Sequence, residues 1–243
     1  MKWKAAGIGM MLTLMAAMPI VGAVDAPVDM KADSIEYDSK KGVLRANGHV
    51  VIVQGTAKVQ GAHAVYNMKK KEGTVSGGVV MHQEGATLKA NQVNIANETV
   101  FTATGNVDLT KENNRLTGPR LVYYTDKEFA VADGNARLVT ADGTLTAPRI
   151  EASMPKEEAV ATGGVQINSQ THNLTATSDT AYYYGEKTGQ NKLVLKGNAH
   201  AVQDGNQLKG SELTILLDDN ELQSRGGSHL VIKDTNGTKD ANS

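Results

Sequence analysis

The stretch Ala32-Asp-Ser-Ile-Glu-Tyr37, followed after six residues by Leu44-Arg-Ala-Asn-Gly48-His-Val-Val-Ile52, decides the fold because its pattern occurs seven times in the chain. Successive copies of its glycine are 29, 28, 29, 29, 34 and 29 residues apart. A period of this size indicates one supersecondary unit that is copied along the chain. The seven glycines are Gly48, Gly77, Gly105, Gly134, Gly163, Gly197 and Gly226.

Each unit contains two predicted strands. Around the glycine, apolar and polar residues alternate, as at Ala46, Val50 and Ile52, and this period of two predicts a half-buried strand with the glycine on its buried face. Upstream lies a second element, apolar-x-small-x-x-apolar-x-Tyr, in which Ala32 is the first small residue and Ile35 the first apolar one. The step of three residues between them breaks strict alternation, so we expect a bulge or a corner there.

Polar turns separate these strands. Asp38-Ser-Lys-Lys-Gly42 lies within the first unit, and Gln54-Gly55 lies between the first and second units. Strands and turns in this order predict a meander of hairpins, and seven units predict about fourteen antiparallel strands. No segment beyond the N-terminus carries a sustained apolar period of 3.6 residues, so the fold class is predicted to be all-β.

A sheet of this size twists and must fold over to bury its apolar face. We therefore expect a repeat-built β-jelly roll, that is, a semi-open, V-shaped sheet with the apolar columns inside. Many inward positions carry Ala, Gly or Ser, and aromatic residues make up only 4% of the chain, so an open apolar trough can remain. The alternative, two layers that interdigitate as a dry sandwich, is equally compatible with the columns.

The ends of the chain differ from the repeats. A basic start and an uncharged apolar run of 17 residues precede Val21-Gly-Ala23, which has the small-x-small form of a signal-peptidase site. This order predicts a cleaved signal peptide over residues 1–23, and the alternative is an uncleaved anchor helix at the short limit for spanning a bilayer. Either segment places the repeats outside the cytoplasm. We expect one β domain over residues 24–233 and a disordered tail over residues 234–243.

Composition excludes several classes of function. The formal net charge of −1 argues against a nucleic-acid partner. The absence of cysteine rules out a disulfide framework, a thiolate zinc site and a lipidated N-terminal cysteine. The sequence has no Gly-x-Ser-x-Gly, Walker or His-Glu-x-x-His motif, and no histidine pair has metal-ligand spacing on one element. We therefore predict no enzyme activity, no cofactor and no metal site.

Two charged segments were considered as binding sites. Asp218-Asp-Asn-Glu221 lacks the glycine turn and the ligand spacing of a calcium loop, so it is interpreted as a hairpin tip. Lys69-Lys-Lys71 could contact phosphate groups, but a solvated turn explains the same residues.

The repeated pattern resembles the OstA-like family of lipopolysaccharide-transport proteins. The resemblance rests on Ala32-Asp-Ser-Ile-Glu-Tyr37 with Leu44-x-Ala-x-Gly48-x-Val-x-Ile52, on its seven copies in phase, and on the signal peptide before them. It extends from Met30 to about Ile232. Ala152 and the sparse sixth unit depart from the pattern, and five extra residues before Gly197 predict a longer loop.

The resemblance implies a periplasmic carrier. Members of the family are semi-open jelly rolls that hold the acyl chains of lipopolysaccharide and stack head to tail, joining inner-membrane to outer-membrane transport components. It therefore implies lipopolysaccharide as ligand, those components as partners, and self-association through the edge strands, which an open meander leaves unpaired. The residues expected to line the trough and contact acyl chains are Ile35, Val50, Ile52, Val79, Met81, Val93, Val107, Leu109, Leu121, Leu138, Ile150, Val165 and Ile167.

Two other hypotheses remain, and a third is set aside. The chain could be a bitopic, LptC-like partner if its N-terminal segment stays uncleaved. It could instead be a dry structural or adaptor protein of the cell envelope that binds other proteins by strand addition. A β-helix enzyme acting on polysaccharide would need short parallel strands and a carboxylate cluster, and the sequence has neither.

Overall fold

The computed structural model describes residues 27–141, 143–185, 188–217 and 221–233. The predicted signal peptide and the predicted tail lie outside the described residues. The described chain forms sixteen strands in one sheet, which confirms the all-β prediction. None of the described residues forms a helix long and apolar enough to cross a bilayer.

Strand bounds follow the repeat. The first half of the sheet contains β1 (Val28–Lys31), β2 (Ser34–Asp38), β3 (Val43–Gln54), β4 (Ala57–Asn67), β5 (Glu72–Gln83), β6 (Ala86–Ala96), β7 (Val100–Lys111) and β8 (Asn114–Tyr124). The second half contains β9 (Phe129–Val139), β10 (Gly143–Ser153), β11 (Glu158–Ser169), β12 (Leu174–Tyr184), β13 (Lys192–Gln203), β14 (Asn206–Leu216), β15 (Glu221–Arg225) and β16 (His229–Val231).

The topology is an antiparallel meander from β3 to β14, with every strand paired to its neighbours in sequence. At the start, β1 and β2 pair with the two halves of β3. At the end, β15 and β16 pair with the two halves of β14. Each short pair occupies the place of one long strand, so the sheet has fourteen strand positions, as predicted. Its first and last positions do not pair with each other, and the sheet is therefore open.

Tight turns fix the register of the hairpins. Glu84 and Gly85, between β5 and β6, both have positive φ angles, and so do Asp204 and Gly205 between β13 and β14. Two-residue loops with two positive φ angles are type I′ turns, whose twist matches that of the flanking strands. The predicted longer loop is also present, because β12 ends at Tyr184 and β13 begins at Lys192.

A bulge interrupts every unit at the predicted level. In β3, Gly48 and His49 oppose the single residue Ala62 of β4, between the paired residues Asn47–His63 and Val50–Gly61. The same register shift recurs along the sheet, and bulges of this kind bend a strand. The bulge therefore provides the corner that the step of three residues predicted.

The glycines do not lie on the buried face, and that prediction is wrong. Gly48 is half-buried and Gly77 is exposed, whereas the residues two positions before and after Gly48 are buried. Ala46 and Val50 are both buried, and the glycine lies between them in the bulge, where the strand leaves its regular alternation. The φ angles, +74° at Gly48 and +83° at Gly77, explain why glycine occurs here, because glycine has no Cβ and adopts positive φ without steric strain.

One face of the sheet is the core. A single cluster of buried apolar side chains extends from Val59 in β4 to Ile215 in β14, and a smaller cluster around Ala46 and Val50 adjoins the first strands. Leu109, Ile150 and many others on this face are fully buried, although the described residues supply no second sheet and no helix to cover them. The two halves of the bent sheet must therefore cover each other, as in the predicted V-shaped jelly roll.

Candidate functional site

The inner face of the sheet is the candidate site, and the register arranges its side chains in rows that cross all the strands. We call the row nearest the turns within the units the tyrosine row. Its members are Tyr37, Leu44, Tyr66, Gly73, Ile95, Phe101, Tyr123, Ala130, Ala152, Ala159, Tyr183, Leu193, Ile215 and Leu222.

We call the row on the far side of the bulges the leucine row. Its members are Met30, Ile52, Val59, Met81, Leu88, Leu109, Leu116, Leu138, Leu145, Ile167, Ala176, Ala201, Leu208 and Leu230. Two further inward rows lie directly beside the bulges. The row with Ala64 is on the side of the tyrosine row, and the row with Val79 is on the side of the leucine row. The interior is thus apolar along its whole length.

Most of the residues that were expected to line a trough lie together in this interior. Eleven of the thirteen are buried: Val50, Val79, Met81, Val93, Val107, Leu109, Leu121, Leu138, Ile150, Val165 and Ile167. Ile52 is half-buried and packs against both clusters. Their contact with lipid stays a prediction.

Ile35 is the exception among the predicted lining residues. It lies on the inner face opposite Ala46, but 49% of its surface is exposed. The physical reason is its place on β2, an end strand that has a neighbour on one side only. Ile35 therefore lies at an open end of the interior instead of within it.

Both ends of the interior are open. At the first strand position Tyr37 is 53% exposed, and at the last position Leu230 is 57% exposed. Their row neighbours deeper in the sheet, such as Tyr123 and Leu109, are buried. The apolar interior is therefore closed along the middle of the sheet and accessible at its two ends.

Sequence reasoning missed part of this lining. The buried residues Leu88, Leu116 and Leu195 belong to the same rows, and so do the aromatic residues Phe101 and Tyr123. The signal that could have found the leucines is register, because Leu88 pairs with the predicted lining residue Met81, and Leu116 pairs with Leu109. Phe101 and Tyr123 pair with each other, so neither faces a predicted lining residue. The prediction used only the positions two and four residues after the glycine and three residues after the small residue, so inward residues at other positions of both strands were left out.

Burial changes the ionisation of two tyrosines in the tyrosine row. Burial is the main cause that raises the pKa of Tyr123, and the nearby Glu128 carboxylate adds to it. Burial also raises the pKa of Tyr66, whose hydroxyl donates a hydrogen bond to Glu98 over 3.4 Å. The interior thus favours uncharged groups.

Charges lie on the outer face, in pairs. Asp108 accepts two hydrogen bonds from Arg115, at 2.7 and 2.8 Å. Asp133 accepts hydrogen bonds from both Arg120 and Arg149 across three neighbouring strands. Hydrogen bonding, chiefly with Glu151, raises the pKa of Arg149. Such exposed pairs contribute little each to stability, but they keep the outer face polar.

Three of the six histidines lie within hydrogen-bond distance of nearby polar side chains. The Nδ1 atoms of His49, His63 and His82 lie 2.8, 3.0 and 3.0 Å from Asp33, Asn47 and Thr87, respectively. In the part of the chain that the structure describes, no three His, Cys, Asp or Glu side chains lie close enough to hold a metal ion. What this molecule offers chemically is an apolar interior with a polar exterior.

Comparison with known proteins identifies a family and a number of similar solved structures. The profile of the family described as LptA/(LptD N-terminal domain) LPS transport protein matches residues 58–158 and 97–221. The crystal structure of LptH from Pseudomonas aeruginosa, described as the LptA homologous periplasmic component of the lipopolysaccharide transport device, is 17% identical. The alignment covers 86% of this chain and 96% of that one, with a TM-score of 0.22. No curated protein matches the chain.

Proposed function

Because the chain belongs to the LptA/(LptD N-terminal domain) LPS transport protein family, we propose that it is a non-enzymatic periplasmic carrier of lipopolysaccharide. In this proposal the acyl chains lie in the apolar interior and the sugar and phosphate groups remain in solvent. The protein would stand between inner-membrane and outer-membrane transport components and pass the lipid across the periplasm.

The observation that carries the proposal is the continuity of the apolar interior. The tyrosine and leucine rows run from the first strand position to the last, and both open ends present exposed apolar residues. An acyl chain in water costs about 0.8 kcal/mol for each exposed methylene. In this proposal the acyl chains lie against these apolar rows, and contact with the rows removes that cost along the path.

Self-association belongs to the same proposal. The backbone groups on the outer sides of β1, β2, β15 and β16 have no strand partner among the described residues. Bare edges pair readily with another strand. Head-to-tail stacking of copies would join the interior of one molecule to that of the next, so a lipid could move along without entering water.

Photo-crosslinking from single positions tests the carrier function. A crosslinking amino acid at Leu109 or Leu138, both buried in the leucine row, is expected to capture lipopolysaccharide in cells that make it. The matched controls are Asp108 and Arg137, the neighbouring residues on the outer face, which should capture none. Equal labelling of the inner and outer positions, or no labelling in a folded protein, would show that the interior carries no lipid.

A second candidate function is a dry scaffold of the cell envelope. It is favoured by one observation: residues in the middle of the interior are buried within the protein, with Leu109 and Leu195 at 0% exposure. A scaffold would purify without lipid A from a lipopolysaccharide-containing host and would still form edge-paired assemblies. Mass spectrometry of the purified domain therefore separates the two candidates.

A further inference from the structure

Five lysines gather on two neighbouring turns at the N-terminal end of the sheet. The first turn, residues 38–42, joins β2 to β3, and the second, residues 68–71, joins β4 to β5. The lysines are Lys40, Lys41, Lys69, Lys70 and Lys71, and all five are exposed. Within and next to the two turns in sequence, the five lysines are accompanied by two carboxylates, Asp38 and Glu72, so the pair of turns carries an excess of positive charge.

The two turns are fixed to each other. The Lys69 ammonium donates a hydrogen bond to the carbonyl oxygen of Lys40, and the amide of Met68 donates to the carbonyl oxygen of Gly42 over 2.8 Å. Gly42 is buried beneath the aliphatic part of Lys69, whose Cγ would lie 3.1 Å from a Cβ added there. The lysines are therefore held in one cluster instead of on two independent loops.

Part of the cluster is already neutralised. Lys71 pairs with Glu98 at 2.7 Å, and Lys41 lies 3.4 Å from Asp38. Lys40 and Lys70 have no ion-pair partner among the described residues, and the ammonium of Lys69 contacts only a backbone carbonyl. At least three positive charges are thus available to an anion from outside.

The cluster lies beside the open end of the interior. Tyr37, Leu44 and Tyr66 of the tyrosine row stand within two residues of these turns. Exposed apolar side chains flank the lysines. They include Tyr37, and also Met68, whose surface is 48% exposed. A positive cluster directly next to exposed apolar surface matches an amphiphile with an anionic head.

The cluster is specific to this end. The next turns at the same rim carry Glu98, then Asp126, Lys127 and Glu128, and then Lys156 and Glu157. In each of them carboxylates equal or exceed lysines in number. Positive charge therefore does not follow the repeat, unlike the apolar rows.

We propose that the lysine cluster binds the phosphate groups of an acidic glycolipid whose acyl chains occupy the N-terminal open end of the interior. The inference rests on the proposed carrier function and adds the contact that holds the head group. Ammonium groups make strong charge-assisted hydrogen bonds to phosphate oxygens. A lipid bound in this way has one fixed end, so its orientation in the interior is set by the protein.

The test compares one lipid with and without its phosphates. Dissociation constants are measured for diphosphorylated lipid A and for the same lipid after phosphate removal, with the wild type and with Lys40→Gln/Lys70→Gln. This variant retains Lys69, which ties the turns together. The control, Lys58→Gln/Lys209→Gln, removes the same charge from exposed residues on other parts of the sheet. Thermal unfolding verifies that all three proteins are folded.

We expect the cluster variant to bind the diphosphorylated lipid about tenfold more weakly, and the dephosphorylated lipid as the wild type does. The control should bind both lipids as the wild type does. An unchanged preference for the phosphorylated lipid in the cluster variant, or an equal loss in the control, would overturn the inference while leaving the carrier function intact. A wild type that binds neither lipid would instead contradict the carrier function.

Inorganic phosphate distinguishes the two sources of the anion. At concentrations that match the lipid, it should bind too weakly to displace the diphosphorylated lipid from the wild type, since it gains nothing from the apolar end. Displacement by inorganic phosphate at such concentrations would assign the cluster to free phosphate and overturn the assignment to a glycolipid.

Discussion

At the scale of single residues, the seven bulges share an unusual backbone conformation. In each one the glycine and the residue after it both have positive φ angles, as at Gly48 and His49 or at Gly105 and Asn106. This conformation is sterically strained for residues other than glycine, and asparagine is less strained in it than most. The first position is always glycine because a side chain there would also collide with the facing strand, as at Gly77 and Ala62.

Substituting the two glycines of one bulge separates these two costs. Gly77 and Gly78 have φ angles of +83° and +81°, but only a Cβ at position 77 would collide, at 2.5 Å from Ala62 Cβ. We expect Gly78→Ala to lower the free energy of unfolding by about 1–2 kcal/mol, because alanine is strained in the left-handed conformation. Gly77→Ala should cost at least about 1 kcal/mol more.

Urea unfolding of both variants measures this difference. Position 78 is the control for position 77, because the φ angles differ by only 2°. Equal losses of stability would mean that contact with the facing strand does not explain the glycine, and that backbone conformation alone does.

The sequence could show that these glycines have a structural role, but not on which face of the sheet they lie. Their recurrence predicted a fixed structural role, and the step of three residues at Ala32 and Ile35 predicted the bulge. The buried orientation was inferred by counting in twos through Gly48. That count fails wherever a bulge adds a residue, and no alternation pattern shows on which of the two paired strands the extra residue lies.

At the scale of elements, the end strands preserve the register of the repeat. Within the sheet, the residue three positions before a glycine pairs with the residue four positions after the small residue of the next unit. Thus Thr74, three before Gly77, pairs with Asn94, four after Ala90. Val194 and Thr214 pair in the same way. The same rule applied to a second copy places Gln223 of β15 opposite Glu36 of β2. The chain therefore specifies how its own edges would meet.

Paired cysteines test that register directly. In the variant Glu36→Cys/Gln223→Cys, oxidation is expected to link successive copies into a ladder of covalent oligomers, because directly opposed residues have Cβ atoms about 5 Å apart. The chain has no cysteine of its own, so no competing bond forms. Electrophoresis without reductant gives the number of linked copies.

A shift of one residue provides the control. Ser224 points to the opposite face of the strand from Gln223, so Glu36→Cys/Ser224→Cys should form no covalent ladder under the same conditions. Comparable ladders from both variants would indicate random collision, and no ladder from either would contradict edge pairing in this register.

Elements were predicted well because each carries its own signal. Alternation defines the strands, and dipeptides such as Glu84-Gly85 and Asp204-Gly205 define tight turns. The split of the end strands was not predicted. It occurs because a bulged strand that has one neighbour loses continuous pairing at the bulge, which leaves β15 and β16 as separate pieces around Gly226 and Gly227.

At the scale of the whole molecule, the sequence left the state of the interior open. Both a trough and a dry sandwich require the same apolar columns, and only the distance between the folded halves distinguishes them. Small side chains on the inner face are themselves buried. Ala130, Ala132 and Ala136 of β9 are all exposed by 2% or less.

Enlarging one of these alanines measures the space inside the lipid-free protein. Ala132→Leu is expected to lower the free energy of unfolding by about 1–3 kcal/mol, because a filled interior must distort to accept a larger side chain. Ala141→Leu, in the exposed turn after β9, is the matched control and should have little effect. Equal stability of the two variants in urea would reveal spare volume in the centre of the protein.

The split strands at the two ends also bear on how proteins of this design can change in size. Neither end is built from an atypical unit, and each repeats the same bulge at the same level. Neighbouring strands lie about 4.8 Å apart, so the gain or loss of one whole hairpin would change the width of the sheet by about 10 Å. Such a duplication would preserve every row and both edges. Evolution can therefore change the width of the sheet in fixed steps of one hairpin.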